Sequence, residues 1–414
     1  MISYDVAVIG GGPAGMMAAG RAAECGASVV LFEKNDTLGR KLLLTGNGRC
    51  NLTNATYDRN LFLSKFPDAA KFLYSPLAAF GVQDTLDFFA SHGVPTKIEA
   101  ENRAFPTSDR AESVLRSLER YMLRGGVKLL SDTEVVGIDA DADTIKGVRL
   151  GNGDIVRARA YVLATGGKSH PETGSTGDGF RWLRDIGHTV IDPRPALVPV
   201  RIRERWVHSL SGASFADVRM TIVQDGKKVR HGDGKILFTH FGLSGPLTLN
   251  MSRDIDTFMK DGEVGLVIDL YPHADAGEID ERVRAYFDAN KNRQIKNALD
   301  GLIPPLCIPV LLKVSGIGPD KPVHSVTKEE RIALVHALKA LRMTVEGLLG
   351  ADQSIVTSGG IALKEVDFKH MRSRMYPNLY LVGDILDIHR PSGGYSLQLC
   401  WTTGYVAGTF AGSE

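Results

Sequence analysis

The stretch that most constrains this chain is Gly10-Gly11-Gly12-Pro13-Ala14-Gly15. It follows Tyr4-Asp5-Val6-Ala7-Val8-Ile9, an apolar and β-branched run that predicts a buried strand of a parallel sheet. Pro13 to Cys25 is rich in alanine and methionine and predicts a helix, which Gly26 is placed to end. Ser28 to Glu33 predicts a second strand. Strand, glycine turn, helix and strand within about 30 residues make a βαβ unit. Glycines at 10, 12 and 15 suit a tight turn, close backbone approach to a pyrophosphate, and close packing of helix on strand. The helix start then holds the phosphates. Glu33 stands 18 residues beyond Gly15, where an acid accepts hydrogen bonds from ribose hydroxyls. The alternative is a glycine turn that binds nothing. Strand, helix and acid in register favour a dinucleotide, and Ala14 and Lys34 join the candidate binding residues.

Length and charge narrow the rest. At about 150 residues per domain, 414 residues predict roughly two to three domains. Lys and Arg number 49 against 48 Asp and Glu, a balance that argues against bulk neutralisation of nucleic acid or an acidic membrane. The four cysteines, at 25, 50, 307 and 400, form no Cys-x-x-Cys pair. That removes a thioredoxin-type dithiol and the common zinc spacings, and it suits a reducing compartment. No histidine spacing suggests a metal. The longest apolar opening, Val6 to Gly20, is broken by glycines and lacks a basic leader, so neither a signal peptide nor a membrane span is expected. The expected location is cytoplasmic.

Two further strands carry informative ends. Tyr161-Val162-Leu163-Ala164-Thr165-Gly166-Gly167 ends in Ala-Thr-Gly, and Asn378-Leu379-Tyr380-Leu381-Val382-Gly383-Asp384 ends in Gly-Asp. Both resemble accessory motifs of the glutathione-reductase-like FAD superfamily. In that superfamily the Gly-Asp acid meets the ribityl and pyrophosphate region; Asp384 also reads as a helix N-cap. Gly393-Gly394-Tyr395 opens a last predicted helix, about 394 to 411, whose dipole would stabilise negative charge on the reduced flavin. No second Gly-x-Gly-x-x-Gly follows a strand. Gly174-Ser175-Thr176-Gly177-Asp178-Gly179 has the wrong spacing, so a separate NAD(P)H domain is not expected.

A closer resemblance rests on Gly39-Arg40-Lys41-Leu42-Leu43-Leu44-Thr45-Gly46-Asn47-Gly48-Arg49-Cys50-Asn51-Leu52-Thr53-Asn54. This string resembles the signature of the BaiN/RdsA-type FAD-dependent oxidoreductases, a family that includes aminoacetone oxidases. Matching strings follow in order: 174 to 179, then Phe238-Thr239-His240-Phe241-Gly242-Leu243-Ser244-Gly245-Pro246, then Thr357-Ser358-Gly359-Gly360-Ile361, and Gly393 to Gln398. The resemblance implies an α/β, doubly wound Rossmann-like FAD domain with an inserted β-barrel-like domain and a small helical domain. The boundaries expected are 1–192 and 357–414 for the FAD domain, 193–275 for the β insert, 276–341 for the helical subdomain, and 342–356 for a return through the insert. From pattern alone, residues 196 to 272 are strand-like, as a barrel or a sandwich.

Around the cofactor, Arg40, Lys41 and Arg49 would bring positive charge, and Gly46 and Gly48 would lay backbone N–H groups against it. Val135, Thr165, Gly166, Gly167, Gly360, Gly383, Asp384, Gly394, Tyr395 and Ser396 complete the expected binding set. Three residues are candidate proton donors. Cys50 beside Arg49 reads as a thiol of lowered pKa, or as a small residue packing the loop. His389, with Arg390, stands where the family pattern expects a small or acidic residue and a glycine; the pair reads as facing the flavin edge or as a surface loop. His240 reads as an acid or as a turn histidine. The function expected is a reductase that uses NAD(P)H as transient reductant and saturates an activated C=C bond by hydride transfer, its substrate lying between flavin and insert. Alternatives are an O₂-dependent amine oxidase of the aminoacetone type, an RNA-modifying flavoprotein that reduces a uridine, and a flavin-binding sensor without turnover. The RNA alternative looks to Arg282, Arg284, Lys291, Arg293 and Lys296, set against Asp288 on one predicted helical stretch.

Overall fold

The computed structural model describes residues 3–350 and 356–413. The chain divides into two compact units, Met1–Pro195 with Ser354–Glu414, and Ala196–Gln353.

The first unit is built on a parallel sheet. The opening strand, Ser3–Ile9, lies between Val29–Phe32 and Ile155–Leu163, and the sheet extends to Lys128–Leu130 on one side and Leu379–Leu381 on the other. Val6, Ala7 and Val8 are wholly buried, as a strand covered on both faces requires. The strand Ile155–Leu163 begins in an antiparallel meander with Val135–Ala140 and Ile145–Leu150, then enters the parallel sheet. Two short antiparallel strands, Arg372–Ser373 and Val366–Asp367, continue the sheet beyond Leu379–Leu381.

One face of the sheet carries two helices in unusually close contact. They are Pro13–Glu24 and the last helix, Tyr395–Ser413. Cβ atoms added at Gly404, Gly408 and Gly412 would lie 2.4 Å from Ala14 O, 2.5 Å from Ala18 O and 2.7 Å from Ala22 O. Small residues recurring every four positions therefore set the distance between the helices. On the other side of the last helix, the Gln398 amide donates to Thr85 Oγ1 at 2.8 Å and accepts from Thr53 Oγ1 at 2.6 Å. Trp401 Nε1 donates to Leu52 O.

The second unit holds a closed six-stranded antiparallel barrel in the order Val200–Ile202, Gly242–Ser244, Lys227–Thr239, Ser214–Gln224, Val264–Asp269 and Leu341–Leu348. Val218, Met220, Ile222, Leu266 and Ile268 fill it. Of barrel and sandwich, the barrel is observed. The helices Ala276–Ala289, Ile308–Val314 and Lys328–Lys339 pack in the same core. One expectation fails here. Within the stretch read as strands, Pro246–Met259 is a helix, with Pro246 in its first turn and Leu247, Met251 and Ile255 buried at helical spacing.

Candidate functional site

A cleft of about 1220 Å³, partly open to solvent, lies within the first unit at the carboxyl ends of the parallel strands. Its floor is the glycine turn. Gly10 has φ +105°, and a Cβ on it would lie 2.5 Å from Ala164 O. Gly15 does not line the cleft; its Cβ would meet Gly10 O at 1.9 Å, so it sets how closely the helix sits under the turn. Gly12 is different: nothing lies within 4 Å of a Cβ there, and a side chain would project into the cleft itself. The helix that starts at Pro13 has no side-chain cap and no acid in its first turn, so its N-terminal N–H groups and positive dipole end face the cleft uncompensated. These are the features a bound pyrophosphate needs.

Glu33 ends the second strand and is buried. Its Oε2 accepts from Gly11 N at 2.8 Å, and its Oε1 accepts from Asn35 N at 2.9 Å and Asn35 Nδ2 at 2.8 Å. The carboxylate is thus held rigidly, with a lone pair on Oε2 left for a ribose hydroxyl. Lys34 Nζ donates to Thr176 Oγ1 at 2.7 Å and reaches Asp178 Oδ2 at 3.0 Å. Val135 and Trp182 also line this end. Burial pushes the Asp178 carboxyl up, but Thr176 and Lys34 outweigh it and hold it below its usual range.

The opposite end is charged and buried. Lys41 Nζ donates to Ser169 Oγ at 2.6 Å and stands 3.5 Å from Asp384 Oδ2. Asp384 Oδ1 lies 3.4 Å from Arg390 Nε, close enough for charge attraction but not aligned as a hydrogen bond. Burial acts to raise the Asp384 carboxyl; Arg390 and Lys41 outweigh it and hold it below the usual carboxylate range. The Arg390 side chain is fully buried and donates to the carbonyls of Ile388, Gly383 and Leu386. It clamps the loop that carries Asp384 rather than facing a flavin edge. Arg390 therefore corrects the reading made from its place in the chain.

Of the residues the sequence singles out, Gly10, Gly12, Ala14, Glu33, Lys34, Arg40, Lys41, Val135, Thr165, Gly166, Gly383, Asp384 and Ser396 line the cleft. Arg40 pairs with Asp36 at 2.6 Å on its rim. Others sit elsewhere. Arg49 pairs with Glu99 and Asp109 and lies over the Phe105 ring at 4.0 Å. Gly46 packs against Asn51 N and Phe105, and Gly48 O accepts from Ala111 N. Gly167 abuts Thr357, whose Oγ1 accepts from Lys168 N. Gly360 packs on the Ile385 carbonyl, and Gly394 on the Thr53 backbone. Tyr395 points into an aromatic cluster with Phe62 at 5.0 Å and Phe66 at 5.8 Å. His389 is half-buried beside the Arg390 clamp. His240 is exposed in a barrel turn, edge-on to Phe241.

Of the two readings of Cys50, the structure shows the small residue packing the loop rather than the reactive thiol. It is wholly buried, and burial pushes its pKa up to about 12, with a smaller opposing effect from Thr45. Arg49 does not lower it, because that guanidinium is turned to its two acids. The cleft also includes residues the sequence reading passed over: Asn35, Trp182, Leu397 and Cys400. Trp182 follows Asp178, and Cys400 follows Ser396, by one helical turn, so the helical period could have found both.

The basic stretch is not one helix, since Lys291 and Arg293 fall between the helices Ala276–Ala289 and Ile295–Ala298, and it is largely neutralised in place. Arg284 pairs with Asp280, Lys291 with Asp288, and Lys296 with Asp320, while Arg293 donates to Asn290. No group of residues suited to a metal ion occurs among the described residues, and no described helix is long and apolar enough to cross a membrane.

A parallel sheet, a glycine turn leading into an uncapped helix, and an acid at the end of the second strand define a Rossmann-type dinucleotide-binding fold. Residues 4–410 match the HI0933-like protein Rossmann domain family, so the chain belongs to that family of FAD-dependent oxidoreductases. It is 33% identical to the 3-dehydro-bile acid delta(4,6)-reductase of Clostridium scindens, over 98% of both chains. It is 30% identical to the ribosomal RNA dihydrouridine synthase of Haemophilus influenzae, over 96% of both. The fold is also shared, at 14% identity and a TM-score of 0.57 over the whole of both chains, with the 3-ketosteroid delta1-dehydrogenase of Sterolibacterium denitrificans.

Proposed function

We propose that the protein saturates a C=C bond conjugated to a carbonyl group, with NADH or NADPH as the reductant. The observation that carries this reading is the end-to-end similarity to a relative named as a delta(4,6)-reductase. FAD, when bound, supplies the hydride chemistry. Gly12 and the uncapped helix start receive the pyrophosphate, and Glu33, fixed by Gly11 and Asn35, holds the ribose. Lys41 and Asp384 bracket the opposite end of the cleft, where Lys41 offsets negative charge. Cys50 keeps its proton and stays out of the chemistry, because it is buried away from the cleft.

Anaerobic titration tests it. NADH or NADPH should bleach the flavin absorbance, and an enone should restore it. Absence of bleaching, with peroxide formed from an amine in air, would replace the reading by an amine oxidase. A second reading has its own support in the relatives named ribosomal RNA dihydrouridine synthase, at 29% and 30% identity. The bond chemistry is of the same class, since uridine also carries a C=C bond conjugated to a carbonyl. Reoxidation of the reduced protein by ribosomal RNA, but not by a small enone, would select it.

A further inference from the structure

The loop from Thr173 to Asp178 crosses one end of the cleft, and its contacts are made to residues of the far wall. Thr173, Gly174, Ser175, Thr176 and Asp178 all line the cleft. From the far wall, Asn35 Nδ2 donates to Thr173 O at 3.1 Å, and Lys34 Nζ holds both Thr176 Oγ1 and Asp178 Oδ2. The loop is bounded by Gly174 at φ +103° and Gly177 at φ +83°. These conformations favour glycine, and a Cβ at Gly174 would strike Asn35 Nδ2 at 2.7 Å. The same Asn35 orients Glu33, so one amide fixes both the ribose acid and the loop above it. The Lys34–Asp178 pair is about three-quarters buried on each side, sheltered from the screening that weakens surface pairs.

We infer that Thr173–Asp178 is a strap over the adenosine end of the cofactor, latched by Lys34, and that unlatching gates cofactor entry and exit. A latch differs in kind from a contact. Loss of a contact to the ligand raises the release rate alone. Loss of a latch raises release and entry together and leaves affinity nearly unchanged, because it changes the barrier rather than the bound state. The inference rests on the reading that FAD occupies this cleft.

The test uses the full-length holoprotein and the variants Asp178→Asn and Lys34→Met, which break the latch from opposite sides. FAD release is followed by flavin fluorescence with excess trap, and reloading by mixing stripped protein with FAD. Both rates should rise about tenfold, the effect of one charge-assisted hydrogen bond, with the dissociation constant within about threefold of the parent. Release that rises while reloading stays constant would make these residues cofactor contacts and overturn the strap. Two unchanged rates would overturn it as well. If the parent protein itself takes up no FAD, the cofactor reading fails, and the strap with it.

Discussion

Replacing Arg390 with Met isolates the buried charge cluster. The guanidinium has no exposed surface, lies 3.4 Å from Asp384, and satisfies three backbone carbonyls of one loop. Met fills similar volume without charge or donors. The loss is then not that of a surface ion pair, worth at most about 1 kcal/mol. It leaves a largely buried carboxylate with Lys41 and the Ser396 hydroxyl, and breaking a buried pair from one side costs about 3–5 kcal/mol. Urea unfolding of the flavin-free protein should show that loss. Adding Asp384→Asn to the variant removes the stranded charge, so the double variant should be less destabilised than the sum of the two singles by about 0.5–3 kcal/mol. The acid dependence has a defined sign. The Asp384 carboxyl titrates lower in the folded protein than in the unfolded chain. Its contribution is therefore present above the ordinary aspartate pKa of about 4 and fades as pH falls through the folded value. In Arg390→Met the depression shrinks, so less stability should be lost on acidification, and the loss should be complete at a higher pH. A cost below about 1 kcal/mol, or additive single and double variants, would refute the buried-clamp account.

Three further outcomes follow from the same geometry. With a pKa of about 12, Cys50 should resist iodoacetamide at pH 8 by about three orders of magnitude relative to an ordinary thiol, with partly exposed Cys25 labelled first in peptide mapping. Gly15→Ala forces an atom to 1.9 Å from Gly10 O, so it should cost at least about 1–3 kcal/mol in thermal unfolding and abolish retention of FAD on a desalting column. Lys296→Ala removes a largely exposed pair with Asp320 and should change stability by less than about 1 kcal/mol.

The sequence made the first βαβ unit legible because its signals are local. An apolar run, three glycines and an acid each report on their own neighbours. The cleft-lining role of Gly383 and Asp384 was legible for the same reason, as a strand end. Arg49 and Arg390 were not legible as structural residues, because their partners are set by the fold. Arg49 finds Glu99 and Asp109 from 50 and 60 residues away, and Arg390 turns inward to carbonyls that only a closed loop offers. The same holds for Cys50, whose pKa is fixed by burial among distant side chains rather than by its charged neighbour in sequence. The helix Pro246–Met259 was hidden by strand-forming residues on both sides, although Gly245-Pro246 is a helix-start signal and Leu247, Met251 and Ile255 keep its period.

The close contact between the first and last helices also orders events in time. Pro13–Glu24 is made well before its partner Tyr395–Ser413. At about 5–20 residues per second, roughly 20–80 s separate their synthesis. During that interval the alanine face that receives Gly404, Gly408 and Gly412 has no partner, and the cleft lacks Gly383, Asp384 and Ser396. A nascent chain stalled before the last helix would therefore carry the glycine turn with its cleft incomplete.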